Sequence, residues 1–341
     1  MAASIREIAR LAGASPAAVS VTLNGTKGKT IRIGPATRER ILSIASQLSY
    51  TPTNPEASTR HVHRKVIGLV LPYVEAFTDQ NPFCVNSING VMSEIIHQHY
   101  NLMLFTRTSS DSSHFVLGGA QVDGVIMVLP PEDSSVLMRV ESRQIPYVSI
   151  IREPMVGAVT VNSDDFAGGK LATEHLLSLG HRRIAHMVGD TRMVTARGRK
   201  AGYLHALANA GIPVQESLII PAGFDWKFGY AAMKTLLALP KSERPTAVFA
   251  CNDLCAEGAI RAINECGLRV PDDIALIGYD DTWFAAMTQP ALTSVKMPLE
   301  EMCAEAVRMV IAMSEGNRPT TQHLMLPISL TVRASCGAIR T

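Results

Sequence analysis

The sequence predicts an α/β protein in which a small all-helical head precedes a larger body built on parallel β-sheets. From Val66 onward, short β-rich apolar runs alternate with helical patterns, as in parallel sheets covered by helices. The charge changes at the same point, because residues 1–65 contain 10 Lys and Arg against 3 Asp and Glu, whereas the remainder contains 22 against 27. A basic head suits a phosphate backbone and an acidic body does not, so we expect only the head to contact nucleic acid.

Capping residues indicate three short helices in the head. The stretch 4–7 is a capping box that starts the first helix, and Gly13 supplies the left-handed residue that ends it. Ser15-Pro16 starts the second helix, with a side-chain acceptor at the N-cap and a proline at the first helical position. Pro35 opens a third helix with an apolar stripe on one side. Three such helices can bury one small core.

Two short helices joined by a glycine-containing turn are typical of a helix-turn-helix motif, in which the second helix lies in the major groove. An ordinary helical hairpin would show the same two helices. The basic charge and the capping residues favour the DNA-binding motif. The residues of the second helix that we expect to face base edges are Pro16, Ala17, Ser20 and Val21.

The chain resembles the lactose-repressor (LacI/GalR) family of bacterial transcription regulators over nearly its whole length. The stretches SIREIARLAGASPAAVSVTLNG at 4–25 and TRERILSIASQLSYTP at 37–52 are similar to the DNA-binding signature of that family. The resemblance implies a helix-turn-helix domain over 1–58, a hinge or linker over 59–65, and an effector-binding and dimerisation domain over 66–341. The expected DNA-contacting residues are Ser4, Ser15, Pro16, Ala17, Ser20, Val21, Asn24, Lys27, Lys29, Arg32, Tyr50 and Thr59.

The head departs from the family pattern at several positions. Members usually carry an arginine where this chain has Val21, and a leucine that inserts into the minor groove where it has Thr59. Pro55 lies in the stretch that would form the hinge helix, where proline is tolerated only near the start. The loop 26–34 is longer than is common, and its basic residues either contact phosphates or form a solvated basic loop. We therefore expect a weaker DNA wedge than the family norm.

The resemblance implies a periplasmic-binding-protein-like body of two lobes, and about 275 residues exceed one doubly wound unit. The strands are expected in the runs VIGLVLPY, NLMLF, VDGVIMVL, IPYVSII, RIAHMVG, TAVFA and DIALIGYD. The chain is expected to cross between lobes near 161–163, 290–294 and 318–322. The lobes would then be an N-lobe of about 66–161 and 294–318 and a C-lobe of about 162–291 and 320–341. Ligands of open α/β sheets bind outside the carboxyl ends of the strands, here between the lobes.

Polar residues follow several predicted strands of the body. The resemblance implies that Arg199, Trp226, Asn252 and Asp280 contact the effector, and a guanidinium, an amide and a carboxylate can satisfy polyol hydroxyls while an indole stacks on a sugar ring. Each residue also has a structural explanation: a loop cap for Asp280, an interlobe ion pair for Arg199, and core packing for Trp226. Their occurrence together at corresponding loop positions favours a binding pocket.

Two further residues complete the predicted effector site. Arg152 follows the run IPYVSII, and Phe77, after the first body strand, offers a second stacking face or packs in its loop. The family often has an acidic residue just before the position of Arg152, whereas this chain has Ile151. The pocket is therefore predicted to be less acidic than in many sugar sensors, and it leaves room for a sugar, a sugar acid or a sugar phosphate.

The sequence shows no motif of an enzyme, a metal site or an exported protein. The six cysteines have no CxxC or zinc-type spacing, which indicates reduced thiols. There is no GxSxG, no GxxxxGK[ST] and no GxGxxG after a strand. The acidic pairs at 164–165 and 280–281 are more typical of caps than of a magnesium site. The start MAASIREIAR lacks the apolar core of a signal peptide and no run approaches a membrane span, so we expect a cytoplasmic protein.

Three classes of function compete at this point. A solute-binding protein of the periplasmic class would explain the body, but it requires an export signal and leaves the basic head unused. An α/β enzyme would need a nucleophile, a cofactor loop or a metal cluster. We predict a homodimeric transcriptional repressor that needs no cofactor or metal. Its expected partners are double-stranded operator DNA and a small-molecule effector, with no membrane.

Overall fold

The computed structural model describes residues 4–24, 33–48, 64–71, 81–105, 122–130, 135–317 and 319–339. The chain divides into two compact units, Met1–His63 and Arg64–Thr341, which correspond to the head and the body. Six predicted site residues lie outside the described residues: Lys27, Lys29, Arg32, Tyr50, Thr59 and Phe77. Pro55 and most of the predicted linker also lie outside them.

The head contains the three helices that the capping residues predict, and these are α1 (Ile5–Ala12), α2 (Pro16–Asn24) and α3 (Pro35–Gln47). The Ser4 hydroxyl accepts a hydrogen bond from the Glu7 amide at 3.3 Å, and the Ser15 hydroxyl accepts one from the Ala18 amide at 3.1 Å. Gly13 ends α1 with a φ of 60°. The small core consists of Ile8, Ala9, Ala12, Val19, Ile41 and Ala45.

The N-lobe of the body is a six-stranded parallel sheet in the order β11-β5-β4-β3-β1-β2. Its strands are β1 (Val66–Val70), β2 (Asn101–Phe105), β3 (Gly124–Val128), β4 (Tyr147–Ile150), β5 (Thr160–Ser163) and β11 (His323–Leu326). Its helices are α4 (Pro82–His97), α5 (Ser135–Ser142) and α10 (Leu299–Ser314). All five residues of β3 are buried, as expected for a strand covered on both faces.

The C-lobe repeats this architecture, with the strand order β12-β10-β9-β8-β6-β7 and only the edge strand β12 antiparallel. Its strands are β6 (Ile184–Val188), β7 (Ile219–Pro221), β8 (Ala247–Ala250), β9 (Ala275–Asp280), β10 (Thr293–Lys296) and β12 (Ser329–Thr331). Its helices are α6 (Asp165–Ser178), α7 (Val194–Asn209), α8 (Trp226–Leu237) and α9 (Asp253–Glu265), with short 3-10 turns at Glu216–Leu218, Trp283–Met287 and Ala334–Cys336.

The chain crosses between the lobes three times. The crossings lie between β5 and α6, between β10 and α10, and between β11 and β12. The first is close to the expected 161–163, but the second follows residue 296 instead of lying at 290–294, and the third follows residue 326 instead of lying at 318–322. The reason is strand pairing: β10 pairs with β9 of the C-lobe, and β11 pairs with β5 of the N-lobe.

Among the residues that the structure describes, no helix is both long and apolar enough to cross a membrane.

Candidate functional site

A cavity of about 1150 Å³ lies between the two lobes. Leu71, Leu129 and Ile151 line it from the N-lobe, and each directly follows a strand of that sheet. Gly189 and Asp280 line it from the C-lobe at the ends of β6 and β9. The cavity therefore lies at the carboxyl ends of both parallel sheets, where the sequence predicts a ligand.

The two walls of the cavity differ in polarity. Apart from Asn81, the described residues of the N-lobe wall are apolar, and they are Leu71, Asn81, Phe83, Cys84, Leu129 and Ile151. The C-lobe wall carries the charged groups, and it consists of 188–193, Thr195, Arg199, Lys200, Glu216, Ile219, 221–225, Phe228, Asn252 and Asp280. The aromatic residues of this wall are Phe224 and Phe228.

Three strand ends at the cavity adopt backbone conformations that non-glycine residues rarely occupy. The φ angle is 48° at Leu129, 59° at Ile151 and 100° at Asp280. Such conformations cost free energy and are concentrated at binding sites, because the surrounding structure must impose them. They turn the chain sharply where each strand meets the cavity.

Arg199 lies at the base of the cavity and is 3% exposed. Its Nε donates to Asp165 Oδ1 at 2.8 Å, and its Nη1 donates to the Cys251 carbonyl at 2.5 Å. Its Nη2 is 3.6 Å from Asp280 Oδ1, and its guanidinium lies 3.5 Å from the centroid of the Tyr279 ring. Four different groups therefore hold one side chain in a single orientation.

Burial shifts the pKa values of Arg199 and Asp280 in opposite directions, because it disfavours the charged form of each. It opposes the charged form of Arg199, but Asp165, Tyr279 and Asp280 outweigh it and raise the arginine pKa above its ordinary value. Burial raises the pKa of Asp280 to about 8, because the nearby Arg199 only partly offsets the loss of hydration. The Asp280 carboxyl therefore holds a proton more readily than an exposed acid, and its protonated form can both donate and accept hydrogen bonds.

Asp253 supports the loop that follows Asp280. Its Oδ2 accepts from the Thr282 amide at 2.8 Å and the Thr282 hydroxyl at 2.9 Å, and its Oδ1 accepts from the Ser294 hydroxyl at 2.6 Å. Burial raises the pKa of Asp253 to about 7, against the lowering effect of these donors. Asp253 thus positions the cavity wall from behind, a role that its place in the sequence does not reveal.

Two glycines bring α6 and α7 close enough for Arg199 to reach Asp165. A Cβ at Gly169 would lie 2.1 Å from the Arg199 carbonyl oxygen, and a Cβ at Gly202 would lie 2.1 Å from the Phe166 carbonyl oxygen. Any larger residue at either position must separate the helices. The position of Arg199 in the site therefore depends on the close spacing of α6 and α7.

Asn252 lines the cavity and is the N-cap of α9. Its Oδ1 accepts from the Cys255 amide at 2.8 Å, and its Nδ2 donates to the Phe224 carbonyl at 3.0 Å. One amide hydrogen and one lone pair remain for a ligand. Asn252 therefore serves the helix and faces the cavity at the same time.

Trp226 and Arg152 do not line the cavity. Trp226 is the first residue of α8, and the Arg261 guanidinium lies 4.7 Å from its ring centroid. Arg152 is 5% exposed, donates from Nη2 to the Met155 sulfur at 3.1 Å, and has a buried Nη1 without a hydrogen-bond partner.

Several residues of the cavity walls are not predicted from the sequence. Phe224 lies two positions before Trp226, so the sequence predicts an aromatic side chain in this part of the wall but at the wrong position. Asn81 precedes a proline and caps α4 by accepting from the Phe83 amide at 3.0 Å, a pattern that sequence could have revealed. Thr195 and Lys200 gave no signal, because only the orientation of α7 brings them to the cavity.

In the head, the start of α2 is accessible to a partner. Ser15, Pro16 and Ala17 are exposed, and Ser20 and Val21 are half-buried. Ser4, the N-cap of α1, is also exposed. Asn24 is the last residue of α2. The predicted base-facing residues are therefore exposed at the start of α2 and half-buried one turn further on.

Comparison with known proteins agrees with this combination of a helix-turn-helix head and a two-lobed binding body. Residues 4–53 match the family described as bacterial regulatory proteins, lacI family, and residues 173–336 match the periplasmic binding protein-like domain. The chain is 35% identical to the HTH-type transcriptional regulator DegA of Bacillus subtilis over 100% of both chains, and 33% identical to the HTH-type transcriptional repressor PurR of Erwinia tasmaniensis over 98% and 96%.

A solved structure of the CelR–cellobiose complex has 31% identity, a TM-score of 0.75, and coverage of 98% of this chain and 99% of that one. The chain belongs to the lacI family of bacterial regulatory proteins. The predicted fold class and family are confirmed, and the protein is a DNA-binding transcription regulator and not a solute-binding protein.

Proposed function

We propose that the protein is a homodimeric repressor whose operator binding is controlled by a small sugar-like effector bound between the lobes. The observation that carries this proposal is the buried cluster of Arg199, Asp165 and Asp280 at the base of the cavity. A charged group this deeply buried costs free energy unless it is paired, and here it is paired where a ligand would bind.

Within the cavity, we assign Asp280 and Asn252 as direct hydrogen-bonding partners of the effector. Arg199 has a double role, since it orients Asp280 and presents its remaining donor capacity to the cavity. Among the described residues, Phe83, Phe224 and Phe228 line the cavity and offer stacking faces.

The remaining predicted contacts enter the proposal in different ways. Trp226 supports the wall through α8, where it lies beneath Arg261. Arg152 contributes through its unpartnered Nη1 if the lobes close further around a ligand. Phe77 stays a prediction, because it lies outside the described residues.

The relatives support a sugar as the effector class. The CelR structure holds cellobiose, and a lacI-family regulator from Enterococcus faecium, with 25% identity and a TM-score of 0.71 over 81% of this chain and 100% of that one, holds ribose. The apolar N-lobe wall suits the carbon face of a sugar ring, and the polar C-lobe wall suits its hydroxyls.

On the DNA side, the exposed start of α2 is proposed to enter the major groove. Pro16, Ala17 and Val21 present apolar surface, so thymine methyl groups are expected among the contacts. The Ser15 hydroxyl caps α2 as an acceptor and keeps its hydrogen to donate to a phosphate. Each protomer would read one half of a two-fold symmetric operator.

Coupling between the two activities requires that the effector bind one arrangement of the lobes better than the other. The chain from the head enters the body at β1, where the Asp123 carboxylate accepts from the Arg64 amide at 3.0 Å and the Val66 amide at 3.1 Å. A movement of the N-lobe therefore carries Arg64, near the end of the predicted linker, along with it.

The test replaces Asp280 by alanine and compares operator binding with and without effector. An operator is first selected from random DNA, and an effector is selected by thermal shift against sugars, sugar acids and sugar phosphates. We expect Asp280→Ala to keep the operator affinity of the parent while its response to effector falls at least tenfold, because alanine removes both the donor and the acceptor. Asp272→Ala, at an exposed acid away from the cavity, serves as control. A normal response in Asp280→Ala would place the effector site elsewhere.

A further inference from the structure

We propose that the effector carries an anionic group, a carboxylate or a phosphate, that binds at the N-terminus of α7 inside the cavity. This inference rests on the proposed effector function of the cleft and specifies the chemistry of the effector. It is carried by three features of α7: its uncapped start, the hydroxyl of Thr195 and the ammonium group of Lys200.

The N-terminus of α7 borders the cavity and has no side-chain cap. Met193, its N-cap residue, makes no capping hydrogen bond, and the amides of Val194, Thr195 and Ala196 have no acceptor among the described residues. The other C-lobe helices α6, α8 and α9 are each capped by an Asp or Asn side chain. The aligned peptides of this 16-residue helix give its start a partial positive charge, which attracts anions.

Thr195 supplies the observation that points to a ligand. It is 4% exposed and lines the cavity, yet its hydroxyl has no hydrogen-bond partner among the described residues. A helical threonine can donate to the carbonyl four residues earlier, but the Thr195 hydroxyl makes no such bond to the Thr191 carbonyl, which accepts from Arg197 Nη1 at 3.2 Å. The Thr195 hydroxyl is therefore available to a ligand in the cavity that its residue lines.

Lys200, one and a half turns further along α7, makes the same wall more cationic. It lines the cavity, is half-buried, and has no acidic oxygen within 4 Å among the described residues. The amides, Arg199 and Lys200 are all donors without acceptor capacity, so this wall of α7 suits a ligand rich in acceptors.

The acidic residues of the cavity do not oppose an anion at this position. Asp190 accepts four hydrogen bonds from Arg192, and Asp225 caps α8 by accepting from the Lys227 amide. Glu216 is exposed to solvent, and Asp280 lies 3.6 Å from Arg199 Nη2 while burial favours its protonated form. The N-lobe wall adds no carboxylate among its described residues.

The experiment measures stabilisation of the full-length protein by inorganic phosphate, with ionic strength held constant by sodium chloride. We expect a saturable rise in Tm for the parent, and about tenfold weaker phosphate binding for Thr195→Val and for Lys200→Gln. Thr195→Ser should restore most of the binding, and the exposed control Lys241→Gln should bind like the parent. An equal response in all variants, or no saturable response at tens of millimolar phosphate, overturns the proposal.

A second arm distinguishes the two sources of the anion. Glucose, glucuronate and glucose 6-phosphate, and the same three forms of galactose, are titrated as matched sets. Tighter binding of the uronates identifies a sugar acid, and tighter binding of the phosphates identifies a sugar phosphate. Tighter binding of either neutral hexose contradicts the proposed anionic group but still supports an effector site between the lobes. The two proposals therefore fail on different results.

Discussion

Arg197, on α7 of the C-lobe, pairs through Nη2 with the carboxylate of Glu153, in the N-lobe loop after β4. The same guanidinium donates from Nη1 to the carbonyls of Thr191 and Arg192, at 3.2 and 2.9 Å, in the loop that borders the cavity. Arg197 is thus held to its own lobe while it contacts the other. Opening of the cleft at this point must separate Glu153 from Arg197.

Glu153→Gln is therefore expected to favour the open arrangement. Both side chains are about half exposed, 53% for Glu153 and 42% for Arg197, so the pair is worth at most about 1 kcal/mol. An effector that selects the closed arrangement should bind about two- to fivefold more weakly. Small-angle scattering of the ligand-free protein should show a larger radius of gyration. The control is Lys170→Gln, which breaks a pair within α6 alone, and equal effects of both changes would contradict this role.

Gly169→Ala is expected to disable the effector response by displacing α7. The new Cβ would lie 2.1 Å from the Arg199 carbonyl oxygen, and backbone cannot move aside without separating α6 from α7. Overpacking of this kind usually costs about 1–3 kcal/mol of folding stability. Chemical denaturation measures that cost, and effector titration reports the displaced Arg199. Ala201→Ser, an exposed change on α7, should leave both unchanged.

The features that sequence predicts here are those fixed by local interactions. The hydroxyl of Ser4 and the left-handed Gly13 define α1 within ten residues, so capping rules suffice to place it. Seven of the twelve described strands likewise appear as predicted apolar runs, because a strand buried on both faces needs apolar side chains throughout. The short strands β5, β7, β10, β11 and β12 are not predicted.

The features that sequence does not predict depend on distant partners. Asp165 and Arg199 are 34 residues apart and meet only because Gly169 and Gly202 let their helices approach. The lobe to which β10 belongs is decided by its pairing with β9, which no local pattern reports. Phe224 lines the cavity and the predicted Trp226 does not, because α8 begins only after Phe224, at Trp226.

The body is expected to fold and dimerise without the head if the chain begins at Arg64. Asp123 accepts hydrogen bonds from the amides of both Arg64 and Val66, so Arg64 belongs to the body although it precedes β1. A chain of 64–341 should be soluble and dimeric by sedimentation. A chain that begins at Ile67 loses both hydrogen bonds and should unfold at a lower temperature. A monomeric 64–341 would contradict the proposed assembly, and equal Tm values would contradict the role of Asp123.

His186 should make the stability of the body depend on pH. The side chain is fully buried on β6, its ring stacks on Phe249 at a centroid distance of 4.6 Å, and its Nδ1 lies 3.0 Å from the Phe249 carbonyl. Its Nε2 is buried without a hydrogen-bond partner, so a second proton there would add an unpaired buried charge. Burial accordingly lowers the His186 pKa from 6.5 to about 4.

Because this pKa is lower in the folded state, the unfolded chain binds more protons between pH 6.5 and 4. The stability that depends on a neutral His186 is thus fully present above pH 6.5 and is lost as the pH falls. Between pH 7 and pH 5 this loss lowers the free energy of unfolding by about 2 kcal/mol. Asp253 and Asp280 act in the opposite direction over this range, because burial raises their pKa values to about 7 and about 8. A comparison of the parent with a single variant removes their effect.

The variant is His186→Phe, which keeps a flat ring against Phe249 and cannot take up a proton. Urea unfolding at pH 7 should show a loss of about 1 kcal/mol from the missing hydrogen bond. At pH 5 the variant should equal or exceed the parent in stability, because only the parent loses the histidine contribution. The exposed His97→Gln serves as control and should keep the parental dependence on pH. If the parent and His186→Phe lose stability in parallel between pH 7 and pH 5, His186 is not the group that titrates.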